Sequence, residues 1–527
     1  MDGGTSRRQP KLAELVAALS LGVDLGFGQP MEHVLRQCLI ALRLAGYLGL
    51  HGPDRAAVYY TALLVNVGCH SDAHEQARWF GDDIRLKSGK YAHDLGSLRG
   101  VLSTMRLIGA GNPPLHRFRV GLEFAISGHR ELDGMIAQHA RLARAFAEQL
   151  DLPLQVSDAI GAAYEQWDGR GWPGDLRAGQ VPVAARIAQL AEFTEVAHRV
   201  RGAEAACALA RRQAGRQFDP ELAALLCEHA GEIFGGLDAA PPWQAVIEAE
   251  PALAGGLSAE QCDSALTAIA NFVDLKSPFT LGHSVAVADL AGDAAGRLGL
   301  PPGDVLLVRR AGLVHGFGRL GVSNSIWDRA GPLGAGEWER VRMYPYLTER
   351  MLRQSAALAP LGEIAVQHRE RLDGSGYPRG ISGSAISRPA RILCAAEAYQ
   401  GKCEPRPHRA ARSASEAAAD LNAEVRAGRL DGDAVFAVLQ AAGHRPPRRR
   451  EAVRGLTARE VEVLVLLARG LSNRQIGERL VITPKTAGNH VEHIYAKIGA
   501  SSRAAAAMFA VQHGLLPTGG MVAPAAP

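Results

Sequence analysis

Several features that would assign a protein to an exported, membrane-bound or polycationic class are missing here. No apolar run is long enough to cross a bilayer, and no N-terminal stretch has the make-up of a signal segment. The seven cysteines, at 38, 69, 207, 227, 262, 394 and 403, are scattered and form no CxxC pair. An odd, dispersed set of this kind excludes a disulfide framework and points to reduced thiols. Charge of one sign is hardly in excess: 58 Lys and Arg stand against 54 Asp and Glu, a net +4. The chain as a whole is no nucleic-acid polycation, so any basic surface must be local. The expectation is a soluble cytoplasmic protein with no membrane partner. Apolar residues make up 47% of 527, enough for several buried cores and several domains.

An internal repeat sets the organisation. EQWDGRGWP at Glu165–Pro173 returns as ERLDGSGYP at Glu370–Pro378, and the helical stretches around Arg186 and Arg391 keep the same offset of 205. Upstream, His33 and LLVNVGC at Leu63–Cys69 return as His283 and LVHGFGR at Leu313–Arg319, with an offset of 250. The difference of 45 places an insertion in the first copy, within Cys69–Ser127. Two agreeing spacings in each half indicate tandem copies of one helical domain.

The second copy, from Asn271 to about Glu404, resembles the HD-GYP branch of the HD-domain phosphohydrolases. The residues that carry the resemblance are His283, His315, His368, Glu370 and Asp373-Gly374-x-Gly376-Tyr377-Pro378. Gln217-Phe218-Asp219-Pro220 is a further signature in the first copy. The resemblance implies hydrolysis of cyclic dinucleotides at a binuclear metal centre. Carried over residue by residue, it leaves that centre incomplete. The Asp of the family's His-Asp pair is Gly316, the following Lys is Arg319, and a further His is Tyr344. The second His of the His-His-Glu run is Arg369, and a later Asp is Glu397. Only His283, His315 and His368 remain, and Arg369 would repel a dication nearby. The first copy keeps His33 and His139, with Val65 and Asn66 for the His-Asp pair, Ala163 and Tyr164 before Glu165, and Glu192 where the second has Glu397. No cofactor is expected. A three-His site for a divalent metal (Mn, Fe or Mg) stays open, beside the reading that these His are ordinary packed residues. Binding without turnover is another option, with Arg319, Arg369, Arg379 or Arg391 receiving the phosphates of a nucleotide or other small ligand. The Asp-Gly-x-Gly stretches survive in both copies because they form a tight, glycine-requiring turn.

The last folded segment, Gly455–Leu516, reads as four short helices. Thr457 with Glu460 forms a capping box, Ser472 caps the second helix, and Thr483 caps the third, with Pro484 at its first position. Helix, tight turn and polar-faced helix make a helix-turn-helix. The segment resembles the LuxR-type DNA-binding domain in Leu456-Thr457-x-Arg459-Glu460, Gly470-x-Ser472-Asn473-x-x-Ile476, Thr483-x-x-Thr486, His490, Ile494, Lys497-x-Gly499 and Arg503. The resemblance implies that Pro484–Ile498 enters the major groove of double-stranded DNA and that the chain binds as a homodimer. Lys485, Thr486 and Asn489 are then the base readers, and Asn473, His490, Lys497 and Arg503 hold phosphates or the domain itself.

The expected fold is therefore all-α: a first degenerate HD-GYP-like domain at 11–236, a second at 257–443, a basic linker at 444–454, the helix-turn-helix at 455–516 and a disordered tail at 517–527. Ala239–Trp243 reads as linker-like. The expected activity is transcription regulation with the tandem module as a sensory or interaction input; the alternative is a metal-dependent cyclic dinucleotide phosphodiesterase with an attached DNA-binding domain.

Overall fold

The computed structural model describes residues 8–91, 106–110, 114–124, 129–237, 239, 241–251, 255–443 and 456–516. The basic linker, the tail and most of the first-copy insertion lie outside the described residues. Among those described, the chain is all-α, with two isolated β-bridges, Ala214 with Phe218 and Arg406 with Arg409. It divides into two compact units, Met1–His70 with Glu75–Ala268, and Ser71–His74 with Ile269–Pro527.

In the first unit, helices His33–Tyr47, Gly52–Leu64 and Val183–Gln213 pack together around buried Leu35, Ile40, Tyr59 and Tyr60. The stretch read as linker-like instead leads into a helix, Pro242–Glu248, with Trp243 buried. Its burial follows from partners in the first copy. Tyr59 Oη donates to Val246 O at 3.1 Å and Tyr60 Oη to Glu250 Oε1 at 2.6 Å. The compact body thus continues past residue 236: the short helix packs chiefly on His33–Tyr47, and the Tyr59 and Tyr60 hydroxyls hold it and Glu250 just beyond it.

In the second unit, helices His283–Arg297, Pro302–Val314, Arg388–Cys403 and Gly432–Gly443 form the core. Many inward positions are alanine (Ala291, Ala294, Ala295, Ala395, Ala396), so helix axes can approach closely. One glycine fixes the site. A Cβ on Gly318 would lie 1.9 Å from Tyr344 O, so the turn Phe317–Gly321 rests directly on helix Ala335–Leu352. That contact brings Arg319 beside Tyr344. The repeat reproduces it: a Cβ on Gly68 would lie 2.3 Å from His139 O, which supports the alignment of His139 with Tyr344.

Residues 456–516 form helices Ala458–Ala468, Asn473–Leu480, Pro484–Ile498 and Arg503–Gln512. The caps are those expected. Thr457 Oγ1 accepts from Glu460 N at 3.2 Å, Ser472 Oγ from Gln475 N at 3.3 Å, and Thr483 Oγ1 from Thr486 N at 3.1 Å. Each satisfies a backbone donor that has no partner within its helix. Ile476, Ala487, Val491, Ile494 and Ile498 turn inward to make the small core.

Candidate functional site

The second copy brings its three intact histidines together. His283 opens helix His283–Arg297, His315 follows Pro302–Val314, and His368 follows Ala359–Ala365. All three are fully buried. Ring centroids are 5.4 Å apart for His283 and His315 and 5.0 Å for His315 and His368.

Their hydrogen bonds determine what they can bind. His315 Nδ1 donates to Gly312 O at 2.6 Å and His368 Nδ1 to Ala365 O at 2.5 Å. Carbonyls only accept, so these rings carry their lone pair on Nε2. Both lone pairs are taken. Arg319 Nη2 lies 3.4 Å from His315 Nε2, and Tyr344 Oη lies 2.5 Å from His368 Nε2. Arg369 Nε in turn donates to Tyr344 Oη at 2.8 Å. His283 Nδ1 pairs with Glu404 Oε2 at 2.7 Å, and its Nε2 has no partner. Of the three nitrogens a metal would need, one is open. The positive charge is supplied by guanidinium groups: Arg319 Nη1 is 3.6 Å from Asp274 Oδ1, and Arg369 Nη2 pairs with Glu397 Oε1. Among the described residues, no group of three or more His, Cys, Asp and Glu is arranged to hold a metal ion. The residues present do not fit the binuclear centre that the fold implies.

The ionisation states match this arrangement. Burial, with His368 and Arg319 next, pushes His315 well below its ordinary value. Burial and Arg369 bring His368 to about 3. Both rings are therefore neutral. Burial pushes the Glu397 carboxyl up, but Arg369, backed by His368, outweighs it and holds Glu397 at about 2. Asp274 goes the other way: burial raises it to about 7, and Arg319 only partly opposes this.

The first copy is built alike from different residues. His33 Nδ1 pairs with Glu195 Oε2, which neighbours Arg36. Lys90 Nζ sits 2.6 Å from Glu192 Oε1 and donates to Asn66 Oδ1 at 2.9 Å, over the face of Phe27 at 4.5 Å. Here an ammonium provides the charge.

Glu165 and Glu370 turn out to be loop clamps. Glu165 Oε1 accepts from Gly174 N and Asp175 N at 3.1 and 2.9 Å; Glu370 accepts from Arg379 N and Ile381 N at 2.8 and 3.1 Å. The expected tight turns are there. Asp168 and Asp373 each accept from the backbone two residues on, at 3.0 Å. A Cβ on Gly171 or Gly376 would lie 2.3 or 2.4 Å from backbone nitrogen.

Sequence reasoning missed Asp24 and Asp274, which accept from Val34 N at 3.1 Å and Ser284 N at 2.7 Å. The repeat held the signal, since they too are 250 apart. It also missed Lys90, Glu195 and Glu404. Of the four arginines weighed as phosphate receivers, Arg319 and Arg369 line a cavity of about 740 Å³. Arg379 instead pairs with Glu349 at 2.6 Å and Arg391 with Asp431 at 3.2 Å, so both are engaged elsewhere.

On the helix-turn-helix, Lys485 and Asn489 are exposed on helix Pro484–Ile498, and Thr486 is half-buried with its hydroxyl 2.8 Å from Thr483 Oγ1. His490 and Asn473 are half-buried. Lys497 Nζ donates to Glu460 Oε2 at 2.7 Å, and Arg503 Nη1 donates to Leu471 O. Of the two roles open to Lys497 and Arg503, the contacts correspond to holding the domain.

Comparison with known proteins fits this architecture. A 3'3'-cGAMP-specific phosphodiesterase of Vibrio cholerae is 31% identical over 413 residues, covering 77% of this chain and 90% of that protein. The chain belongs to the HD-domain family. The HD domain matches residues 129–222 and 267–434, and the luxR family of bacterial regulatory proteins matches 454–510. A crystal structure of a cyclic GMP-AMP-specific phosphodiesterase from V. cholerae superposes with a TM-score of 0.57 at 26% identity, covering 83% of this HD-domain chain and 99% of that one. A cyclic di-GMP phosphodiesterase of Pseudomonas aeruginosa is 36% identical over 155 residues, 28% of this chain and 37% of that protein. Among the described residues no helix is long and apolar enough to cross a membrane.

Proposed function

We propose that this HD-domain chain is a cytoplasmic, DNA-binding transcription regulator whose tandem HD-GYP-like module serves as a sensory input without turnover. The observation that carries the reading is the capping of His315 and His368 Nε2 by Arg319 and Tyr344, with Arg369 paired to Glu397. A centre that hydrolyses phosphodiesters with metals needs those nitrogens for the metals. The relatives' activity and the clustering of three histidines favour the second reading, a metal-dependent phosphodiesterase with an attached DNA-binding domain. Metal analysis of the purified chain and a turnover assay with 3'3'-cGAMP and cyclic di-GMP in Mn or Fe separate the two. Robust hydrolysis abolished by His315→Ala would overturn the regulator-only reading.

For the output half, helix Pro484–Ile498 of a homodimer enters the major groove of double-stranded DNA, and Lys485, Thr486 and Asn489 contact base edges. The exposure of Lys485 and Asn489 supports this. Each good base contact is worth about 1–3 kcal/mol. Lys485→Ala with Asn489→Ala should therefore weaken promoter binding by about 30-fold or more in a gel shift at physiological salt. Unchanged affinity would count against this helix as the reader.

A further inference from the structure

The cysteines are scattered along the sequence, yet two of them meet in the fold. Cys207 lies on helix Val183–Gln213, past its break at Gly202, and Cys227 lies on helix Pro220–Glu228, which packs against it. Cys227 Sγ donates to Cys207 O at 3.6 Å, and the two thiols also hydrogen-bond to each other. Cys207 is 6% exposed, whereas Cys227 is half-buried and lines a surface groove of about 440 Å³ with Arg211, Pro220 and Glu228. One sulfur is therefore open to a small reagent, and the other stands directly behind it. Packing alone does not require the pair. The corresponding helices of the second copy, Ala414–Arg426 and Gly432–Gly443, pack together with no cysteine on either.

The segment between the two cysteines is the one that holds the Asp168-Gly169 turn. Arg216 O accepts from Asp168 N at 2.9 Å, and Gln217 O accepts from Trp167 N at 3.3 Å. Asp219 caps helix Pro220–Glu228 by accepting from Glu221 N at 2.9 Å, and it pairs with Arg186. The signature Gln217–Pro220 thus sits inside the loop that a bond between Cys207 and Cys227 would close.

We infer that Cys207 and Cys227 form a redox-active dithiol, which a small-molecule disulfide of the glutathione type converts to an intramolecular bond that braces the Gln217–Pro220 segment. The accessible Cys227, as thiolate, attacks one sulfur of the disulfide RSSR, forming a mixed disulfide and releasing one RS⁻. The Cys207 thiolate then attacks Cys227 Sγ and expels the second RS⁻. The leaving groups take up the two protons that the cysteines lose, so two cysteine thiols are oxidised and RSSR is reduced to two RSH. Burial, with the Cys207 thiol next, pushes Cys227 up to about 11, and Arg211 opposes this. Its thiolate is scarce at neutral pH, so closure is slow, and Cys227 is a poor leaving group when the bond is reopened. The pair therefore registers sustained rather than momentary oxidation. Reversible pairs of this sort are the form that disulfides usually take in a reducing compartment. The inference concerns the first copy alone and holds whether or not the second copy hydrolyses a substrate.

The test is incubation of the full chain with oxidised glutathione, followed by denaturation, alkylation of the remaining free thiols and mass mapping. The parent is expected to lose two free thiols, mapped to a Cys207–Cys227 bond that dithiothreitol reopens. Cys207→Ala should stop at a glutathione adduct on Cys227, and Cys227→Ala should form no bond at Cys207. In thermal unfolding followed by circular dichroism, the oxidised parent should melt about 5 °C above the reduced one, a difference absent in Cys227→Ala. Should either alanine variant fail to fold, the map of the parent decides. Seven free thiols after oxidation would overturn the inference. So would glutathione left on Cys227 of the parent without closure, a bond to a different cysteine, or a Cys207–Cys227 bond that leaves the melting temperature unchanged.

Discussion

Replacing Arg369 with methionine tests whether a guanidinium is the internal counter-charge of the second copy. Glu397 is 1% exposed and pairs with Arg369, while its Oε2 has no other partner. Taking away one member of a buried ion pair strands the other, at a cost of about 3–5 kcal/mol. Arg369 keeps 26% of its side chain exposed, so water can reach the vacated space and the cost should fall near 3 kcal/mol. Urea denaturation followed by tryptophan fluorescence reads the effect through Trp327 and Trp338. A second change, Glu397→Gln in the Arg369→Met background, removes the stranded charge and should restore most of the loss. The pH dependence gives an independent sign. In the native protein Glu397 is held at about 2, below its ordinary 4.5. Its contribution is therefore fully present above pH 4.5 and is lost as pH falls through 2. Without Arg369, burial dominates and the carboxyl moves above 4.5, so the mutant loses stability as pH rises through that new value. The deficit should be larger at pH 8 than at pH 5. A mutant as stable as the parent at pH 8, or a double mutant no better than the single, would refute the reasoning.

Two further outcomes concern the helix-turn-helix. Val481 ends helix Asn473–Leu480 in the left-handed region at φ 55° and is 91% exposed, so Val481→Gly relieves a β-branched residue of strain and loses no burial; a gain of about 0.5–1 kcal/mol in thermal unfolding is expected. Glu460, held at about 2 by Lys497 and the Thr457 backbone, stabilises the domain fully above pH 4.5 and less as pH falls through 2; Lys497→Met should shrink that acid-labile contribution, as followed by circular dichroism between pH 2 and pH 6.

How much of this could be read from the chain differs between its halves. The helix-turn-helix was legible almost to the residue, because capping hydroxyls, Pro484 and inward apolar positions are local features with a fixed spacing. The tandem repeat was legible as arithmetic, and the same offset of 250 extends to Asp24 with Asp274 and Gly68 with Gly318. The partners inside the site were not. Lys90 lies in the region by which the first copy exceeds the second, so no repeat position predicts it. Glu195 and Glu404 both pair with the first histidine of their copy but stand at unmatched offsets. Which buried charge meets which is decided by helix packing over more than a hundred residues of separation, and such choices leave no periodic trace. The helix at Pro242–Glu248 was hidden by its prolines, which read as a breaker but serve as its first turn.

The loop clamp in each copy has a wider consequence. Glu165 and Glu370 gather the amides of the loop that follows, nine to eleven residues on, and so act on the backbone alone. A staple that reads only main-chain groups is indifferent to what the neighbouring side chains become. Ala163 and Tyr164 precede it in one copy, Gln367 to Arg369 in the other, and the loop closes in both. Scaffold and chemistry are thereby mechanically separate, which leaves the centre of such a domain open to rebuilding from a hydrolytic to a receptive surface while the frame stays in register.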